Sequence, residues 1–127
     1  MIQTVEAIKR IGDIKRLTNL MKGLRVSEYC LWLMGIYTGL RISDLLNLNV
    51  KDVKGKNILV IIERKTGKTR KIALNSVLMS IIKILTYGRE DLEPLFLGVQ
   101  GKRLTRGQFY RVLKYLLKRY QNQLICI

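Results

Sequence analysis

Two cations in this chain of 127 residues occupy positions where a side chain could do chemistry. Arg41 follows Thr38-Gly39-Leu40, at the break between an apolar helical run and the segment after it. An arginine there is held by the fold rather than carried on a long surface helix. Asp44, three residues on, is spaced to fix its guanidinium fork. Lys65 opens the basic turn Lys65-Thr66-Gly67-Lys68, 24 residues later (65 − 41), where its ammonium can swing over a ligand. A planar fork on one element and a flexible ammonium on another can together engage an anion. Each also has a plain explanation: a surface arginine at a helix start, and a turn lysine that keeps a strand edge soluble.

Other chemistries are excluded by what the chain lacks. It has no histidine, so no imidazole base and no histidine metal ligand. Cys30 and Cys126 are far apart with no C-x-x-C, which predicts reduced cytosolic thiols rather than zinc or a disulfide framework. Gly67-Lys68-Thr69 resembles the end of a Walker A loop. However, position 62 is isoleucine where that loop requires glycine, and the segment lies between two strand-like runs rather than opening a helix. There is no G-x-S-x-G. The carboxylates Asp44, Asp52, Glu63, Glu90, Asp91 and Glu93 lack the spacing of a two-metal site. No metal and no cofactor are expected.

Charge gives the pair of cations a context. Lysine and arginine number 24 against 9 acidic residues, for a net +15. The excess is uneven: residues 94–127 hold 7 basic side chains and no acidic one. A field of one sign concentrated at one end attracts polyanions and releases their counterions. The longest apolar run, Tyr29 to Tyr37, has nine residues, far short of the roughly 20 needed to cross a bilayer. Glu6, Lys9 and Arg10 interrupt the N-terminal apolar residues, so no signal peptide is evident. The composition predicts a cytoplasmic, nucleoid-associated protein that binds DNA or RNA and no membrane.

The elements that must position Arg41 and Lys65 can be read from periodicity. Length, the absence of repeats and a single proline, Pro94, predict one domain over residues 1–127. Ile14, Leu17, Leu20 and Met21 have helical spacing over Asp13–Lys22, and Val26–Thr38 is apolar almost all round, the signature of the most buried helix. Ser43 is placed to cap a short helix over Asp44–Asn47, with Leu45, Leu46 and Leu48 inward. Ile58–Ile62 and Arg70–Leu74 predict a β-hairpin around the basic turn, with a short strand near Val50–Val53 as an optional third member. Ser76 is placed to cap a helix running to about Tyr87 that turns Val77, Ile81, Ile82 and Leu85 to one side, and Gly98 and Gly101 punctuate a small hairpin. Thr105-Arg106-Gly107-Gln108 is a T-x-x-Q capping box at the start of a last helix. That helix carries the apolar stripe Phe109, Val112, Leu113, Leu116, Leu117 and Tyr120. Beside it runs a basic stripe, Arg111, Lys114 and Lys118, joined by Arg103 and Arg106. The predicted class is α+β, mainly α-helical, with about five helices and a two- or three-stranded antiparallel sheet.

These residues together resemble a known family. Tyr37-Thr38-Gly39-Leu40-Arg41-Ile42-Ser43-Asp44-Leu45-Leu46-Asn47-Leu48 resembles the first arginine box of the tyrosine recombinases, the phage integrase family. Glu63 through Leu74 is similar to that family's lysine-bearing β-hairpin. Leu95-Phe96, Leu104-Thr105-Arg106 and the Phe109–Tyr120 helix are similar to the stretch before its second box. The resemblance implies a site-specific DNA integration and recombination chemistry in which a tyrosine hydroxyl attacks a phosphodiester without metal. Arg41 would clamp the phosphate oxygens, Lys65 would protonate the leaving oxygen, and Asp44 would brace the arginine. It further implies double-stranded DNA as partner, met by Lys68, Arg70, Arg103, Thr105, Arg106, Gln108, Arg111 and Lys114.

The departures are equally specific. The family's second arginine, its histidine and its nucleophilic tyrosine should follow Tyr120, where this chain reads Gln121 to Ile127. Tyr29, Tyr37, Tyr87, Tyr110, Tyr115 and Tyr120 all lie upstream of the nucleophile's expected place. The expectation is the N-terminal half of an integrase catalytic domain lacking its C-terminal helices, inactive alone, its exposed apolar surface covered by the tail Leu124–Ile127 or by a second copy of the chain, with self-association or an intact recombinase as the protein partner. Two alternatives remain: a non-enzymatic basic DNA-binding protein that modulates an intact recombinase, and an RNA-binding protein.

Overall fold

The computed structural model describes residues 23–125 together with Lys15 and Asn19, with side chains placed to Arg119. The rest of the helix expected over 13–22, and Cys126, lie outside the described residues. Five helices and two strands follow in order among the described residues: α1 (Val26–Thr38), α2 (Ile42–Leu46), α3 (Val50–Val53), β1 (Ile58–Ile62), β2 (Thr69–Ala73), α4 (Ser76–Thr86) and α5 (Arg106–Ile125). This is the α+β, mainly helical class expected from the periodicity.

The nearly continuous apolar run of α1 makes it the centre of the core. Cys30, Leu31, Trp32, Leu33 and Met34 are all buried, and α2 and α4 both pack against it. Burial of side chains this size contributes roughly 1.5–3 kcal/mol each, so α1 is the body on which the rest is assembled. Leu95 and Phe96, in the connection before α5, are fully buried, while Phe109, Leu113 and Leu116 bring α5 onto the same core.

Gly39 ends α1 in the left-handed conformation (φ 66°), its N–H donating to the Gly35 carbonyl. The Thr38 hydroxyl donates back to the Met34 carbonyl (2.5 Å) and accepts the Leu40 N–H (3.2 Å). This clasp carries the chain extended through Arg41 (φ −68°, ψ 146°), so Arg41 occupies the N-cap and helical dihedrals begin at Ile42. The Arg41 carbonyl takes the N–H groups of both Asp44 and Leu45 (3.1 Å each). Ser43 therefore lies inside α2 and is not the cap expected from the sequence.

The optional third strand is a helical turn. Val50 and Val53, three apart, are both fully buried, a spacing that one helical face satisfies and an alternating strand does not. Asp52 Oδ2 accepts the Asn49 N–H (2.8 Å) and starts the turn, and the Val50 and Lys51 N–H groups go to the carbonyls of Glu93 and Asp91. Strand-like pairing there is limited to a bridge between Asn49 and Pro94, so the sheet has two strands. β1 and β2 run antiparallel from Ile58 opposite Ala73 to Ile62 opposite Thr69, with Leu59 and Ile61 turned inward.

Asn75, not Ser76, caps α4: its Oδ1 accepts the Leu78 N–H (2.9 Å). Leu78, Ile82 and Thr86 form the buried face of α4, with Ile81 and Leu85 half-buried beside it. Val77, expected inward, is 48% exposed because it sits one residue, about 100°, off that face.

Candidate functional site

The hairpin loop that carries Lys65 is closed by its own backbone. The Glu63 N–H donates to the Lys68 carbonyl (2.9 Å) and the Gly67 N–H to the Glu63 carbonyl (2.8 Å). Gly67 has φ 70°, a left-handed value that costs glycine little and other residues more. The Lys68 N–H donates to Thr66 Oγ1 (3.2 Å). Four residues, Arg64 to Gly67, are left at the tip, and Lys65 is exposed there.

One bond joins this tip to the arginine turn. The Asp44 carboxylate is buried, and its Oδ1 accepts the backbone N–H of Arg64 (3.2 Å). Arg41 lies three residues before Asp44, at the N-cap of the same helix, and Lys65 is the next residue after Arg64. The Asp44–Arg64 bond therefore ties the loop that carries Lys65 to α2, the helix that Arg41 caps. Arg41 is exposed and makes no ion pair with Asp44; the ion pairs between described residues join Arg25 to Glu28 and Arg89 to Glu93. The carboxylate expected to fix the arginine fork fixes the lysine loop instead. The sequence carried no signal for this, because the donor is a main-chain N–H and any residue at position 64 other than proline could supply it.

The remaining predicted contacts divide. Lys68 and Arg70 are exposed on the ribbon that descends from the tip. The capping box forms as read: the Gln108 N–H donates to Thr105 Oγ1 (3.1 Å) and Gln108 Oε1 accepts the Thr105 N–H (3.0 Å). Gln108 thus has its carbonyl engaged in the cap, and its side chain lies against Gly98. Arg106 folds over Tyr110, its Nε donating to the hydroxyl (3.1 Å) with the guanidinium 5.3 Å from the ring centre. Arg111, Lys114 and Lys118 form an exposed stripe on α5, and α5 packs on α2, the helix that Arg41 caps.

Arg103 does not join that surface. Its Nη1 donates to the Leu46 (2.7 Å) and Leu48 (3.0 Å) carbonyls and its Nη2 to Asn49 Oδ1 (2.5 Å). The fork is spent closing the end of α2, leaving little of it for a phosphate.

Burial pushes the Cys30 thiol up to about 12, so it stays protonated and is no nucleophile at neutral pH. Among the described residues no group of His, Cys, Asp or Glu side chains is arranged to hold a metal ion, and no helix is long and apolar enough to cross a membrane.

A model of the phage integrase family matches residues 10–124. The chain belongs to that family. It is 36% identical over 115 residues to the probable integrase/recombinase YoeC of Bacillus subtilis, a match covering 90% of this chain and 62% of that protein. Tyrosine recombinase XerA of Pyrococcus horikoshii is 30% identical over 110 residues, covering 85% of this chain and 38% of the relative. The chain thus spans less than two-thirds of the length of each of these relatives. Among solved structures, XerA recombinase superposes with a TM-score of 0.69 at 21% identity, over 86% of this chain and 41% of that one. A lambda integrase tetramer bound to a Holliday junction superposes at 0.65 and 18% identity, over 86% and 33%. At those identities the superpositions establish a shared integrase fold.

Proposed function

We propose that this chain is the DNA-contacting part of a site-specific recombinase, and that Arg41 and Lys65 serve the transfer of a DNA phosphoryl group to a tyrosine. The Asp44–Arg64 hydrogen bond carries this reading, because it ties the loop bearing Lys65 to the helix that Arg41 caps. In such a reaction the guanidinium neutralises charge gathering on the non-bridging oxygens, and the ammonium gives its proton to the departing 5′ oxygen. Duplex DNA lies across the hairpin and the start of α5, met by Lys68, Arg70, Arg106, Arg111 and Lys114, with Thr105 at the helix entry.

Titration of a short duplex at several salt concentrations tests the interface. With the five to seven exposed cations named, the slope of log K against log salt is expected near about −4 to −6. Lys65, Lys68 and Lys114 become protected from acetylation in the bound state. Protection confined to other lysines would sink the reading, as would tighter binding of structured RNA at equal salt.

The absence of histidine from all 127 residues favours a second reading, DNA occupancy without strand cleavage, with an intact recombinase as partner. A nicked suicide duplex separates the two. A covalent protein–DNA adduct formed by this polypeptide alone would discard the second reading, while binding without an adduct supports it.

A further inference from the structure

On the described surface, a cavity of about 850 Å³ opens between the turn after α3 and the C-terminal half of α4. Val53, Met79 and Ile82 give it an apolar floor, Lys56 and Lys83 ring it together with Lys54, whose Nζ donates to the Arg89 carbonyl (2.9 Å), and no acidic side chain lines it. Its lip is Tyr87–Gly88, and Tyr87 is 87% exposed.

A rigid knob of opposite character begins at that lip. Arg89 turns its guanidinium inward and donates to the carbonyls of Leu85 (3.2 Å) and Leu95 (3.0 Å), to that of Pro94, and to Glu93 Oε1 (3.4 Å). Glu93 Oε2 accepts the Glu90 N–H (2.7 Å), and the Asp91 carbonyl accepts the Lys51 N–H (3.0 Å). The Glu90 N–H, with help from Arg89 and Lys54, holds the Glu93 carboxyl below its usual range, so this brace is charged at neutral pH. The segment so fixed presents Leu92, 76% exposed, beside Glu90 and Asp91. In a chain of net +15, Glu90 and Asp91 are the exposed carboxylates among the described residues. They flank an exposed leucine and adjoin a lysine-ringed apolar hollow.

We infer that this surface docks a second copy of the chain, the Glu90–Leu92 knob of each entering the Lys54/Lys56/Lys83 cavity of the other. Knob and cavity are contiguous, so one two-fold axis near Gly88 engages both contacts at once, as an isologous interface requires. A braced loop loses little conformational entropy on docking. Exposed Tyr87 and Leu92 supply apolar area, and the charges set the register.

Sedimentation without DNA at about 150 mM salt tests the inference, since a Debye length near 8 Å screens whole-body repulsion but leaves contact pairs. The native chain should show a mass rising with concentration toward the dimer. Two charge-reversed chains, Glu90→Lys/Asp91→Lys and Lys56→Glu/Lys83→Glu, should each weaken self-association by about tenfold or more. Mixed together they should re-form a dimer, because the reversed knob of one matches the reversed cavity of the other. All four substituted residues are exposed, and unchanged circular dichroism melts exclude misfolding as the cause. A native chain monomeric to about 100 μM, undiminished association of either variant, or failure of the mixture to pair would each overturn the inference. So would a cavity variant that loses DNA affinity while keeping its dimer, since the cavity would then be a nucleic-acid contact.

Discussion

Arg41 and Arg103 both sit at the start or close of a short connection and read alike in the sequence, yet the fold uses them in opposite ways. Arg41 follows α1 after the Thr38–Gly39 clasp, and its exposed side chain makes no hydrogen bond or ion pair with another described residue. Arg103 reaches into the molecule and gives three hydrogen bonds to Leu46, Leu48 and Asn49. Arg89 behaves like Arg103. A guanidinium already bonded to backbone carbonyls is a structural staple, whereas one with uncommitted donors is available to a ligand. Counting basic residues therefore overstates the anion-binding surface, and the informative quantity is the number of uncommitted donors.

The largest effect expected from this contrast is on stability. Arg103→Ala takes the side-chain donor from the Leu46 carbonyl at the junction of α2, α3 and α5, while the Leu48 carbonyl keeps the Leu95 N–H, and should cost about 1–3 kcal/mol. Arg103→Lys should recover little, because an ammonium cannot span carbonyls that a fork bridges. Urea denaturation measures both. If Arg103→Ala unfolds at the native midpoint but lowers the salt dependence of DNA binding, Arg103 belongs with Arg41 and the contrast fails.

A smaller effect separates the two possible duties of Asp44. Its carboxylate is buried and bonded to the Arg64 N–H, so Asp44→Ala should cost about 1–2 kcal/mol and release the lysine loop. Amide hydrogen exchange at Arg64 should then quicken. Asp44→Asn retains an acceptor oxygen and should keep Arg64 protected. Were Asp44 a brace for the Arg41 fork, the loss of charge in Asp44→Asn would matter and Arg64 exchange would not respond to either change.

Much of this is legible in the sequence, and the features that are not share a cause. The α1 core helix, the β1–β2 ribbon and the Thr105–Gln108 cap were readable because each rests on local pattern: continuous apolarity, β-branched alternation, or a reciprocal cap four residues long. The turn at Val50–Val53 was not, because its N–H groups are satisfied by the Glu93 and Asp91 carbonyls some forty residues away. The fate of Arg103 was hidden for the same reason, its acceptors lying more than fifty positions upstream. Arg41 and Lys65 were legible as types and spacing, but the bond that ties the Lys65 loop to the helix that Arg41 caps passes through a buried carboxylate and a main-chain donor. Side-chain chemistry can be read along a chain, whereas long-range backbone satisfaction has to be seen.

The smallest expected effect on stability is the one that defines the candidate site. Arg41→Ala and Lys65→Ala each remove an exposed side chain with no bond to another described residue, so urea midpoints should shift by less than about 0.5 kcal/mol. If both cations meet phosphates, each substitution should make the salt slope shallower by about 0.9, and the double variant by about twice that. Stability and slope together sort every arginine and lysine here into staple or contact, Arg103 moving the first and Arg41 the second. A measurable loss of stability in Arg41→Ala with an unchanged slope would place that residue among the staples, and would remove the fork from the proposed chemistry.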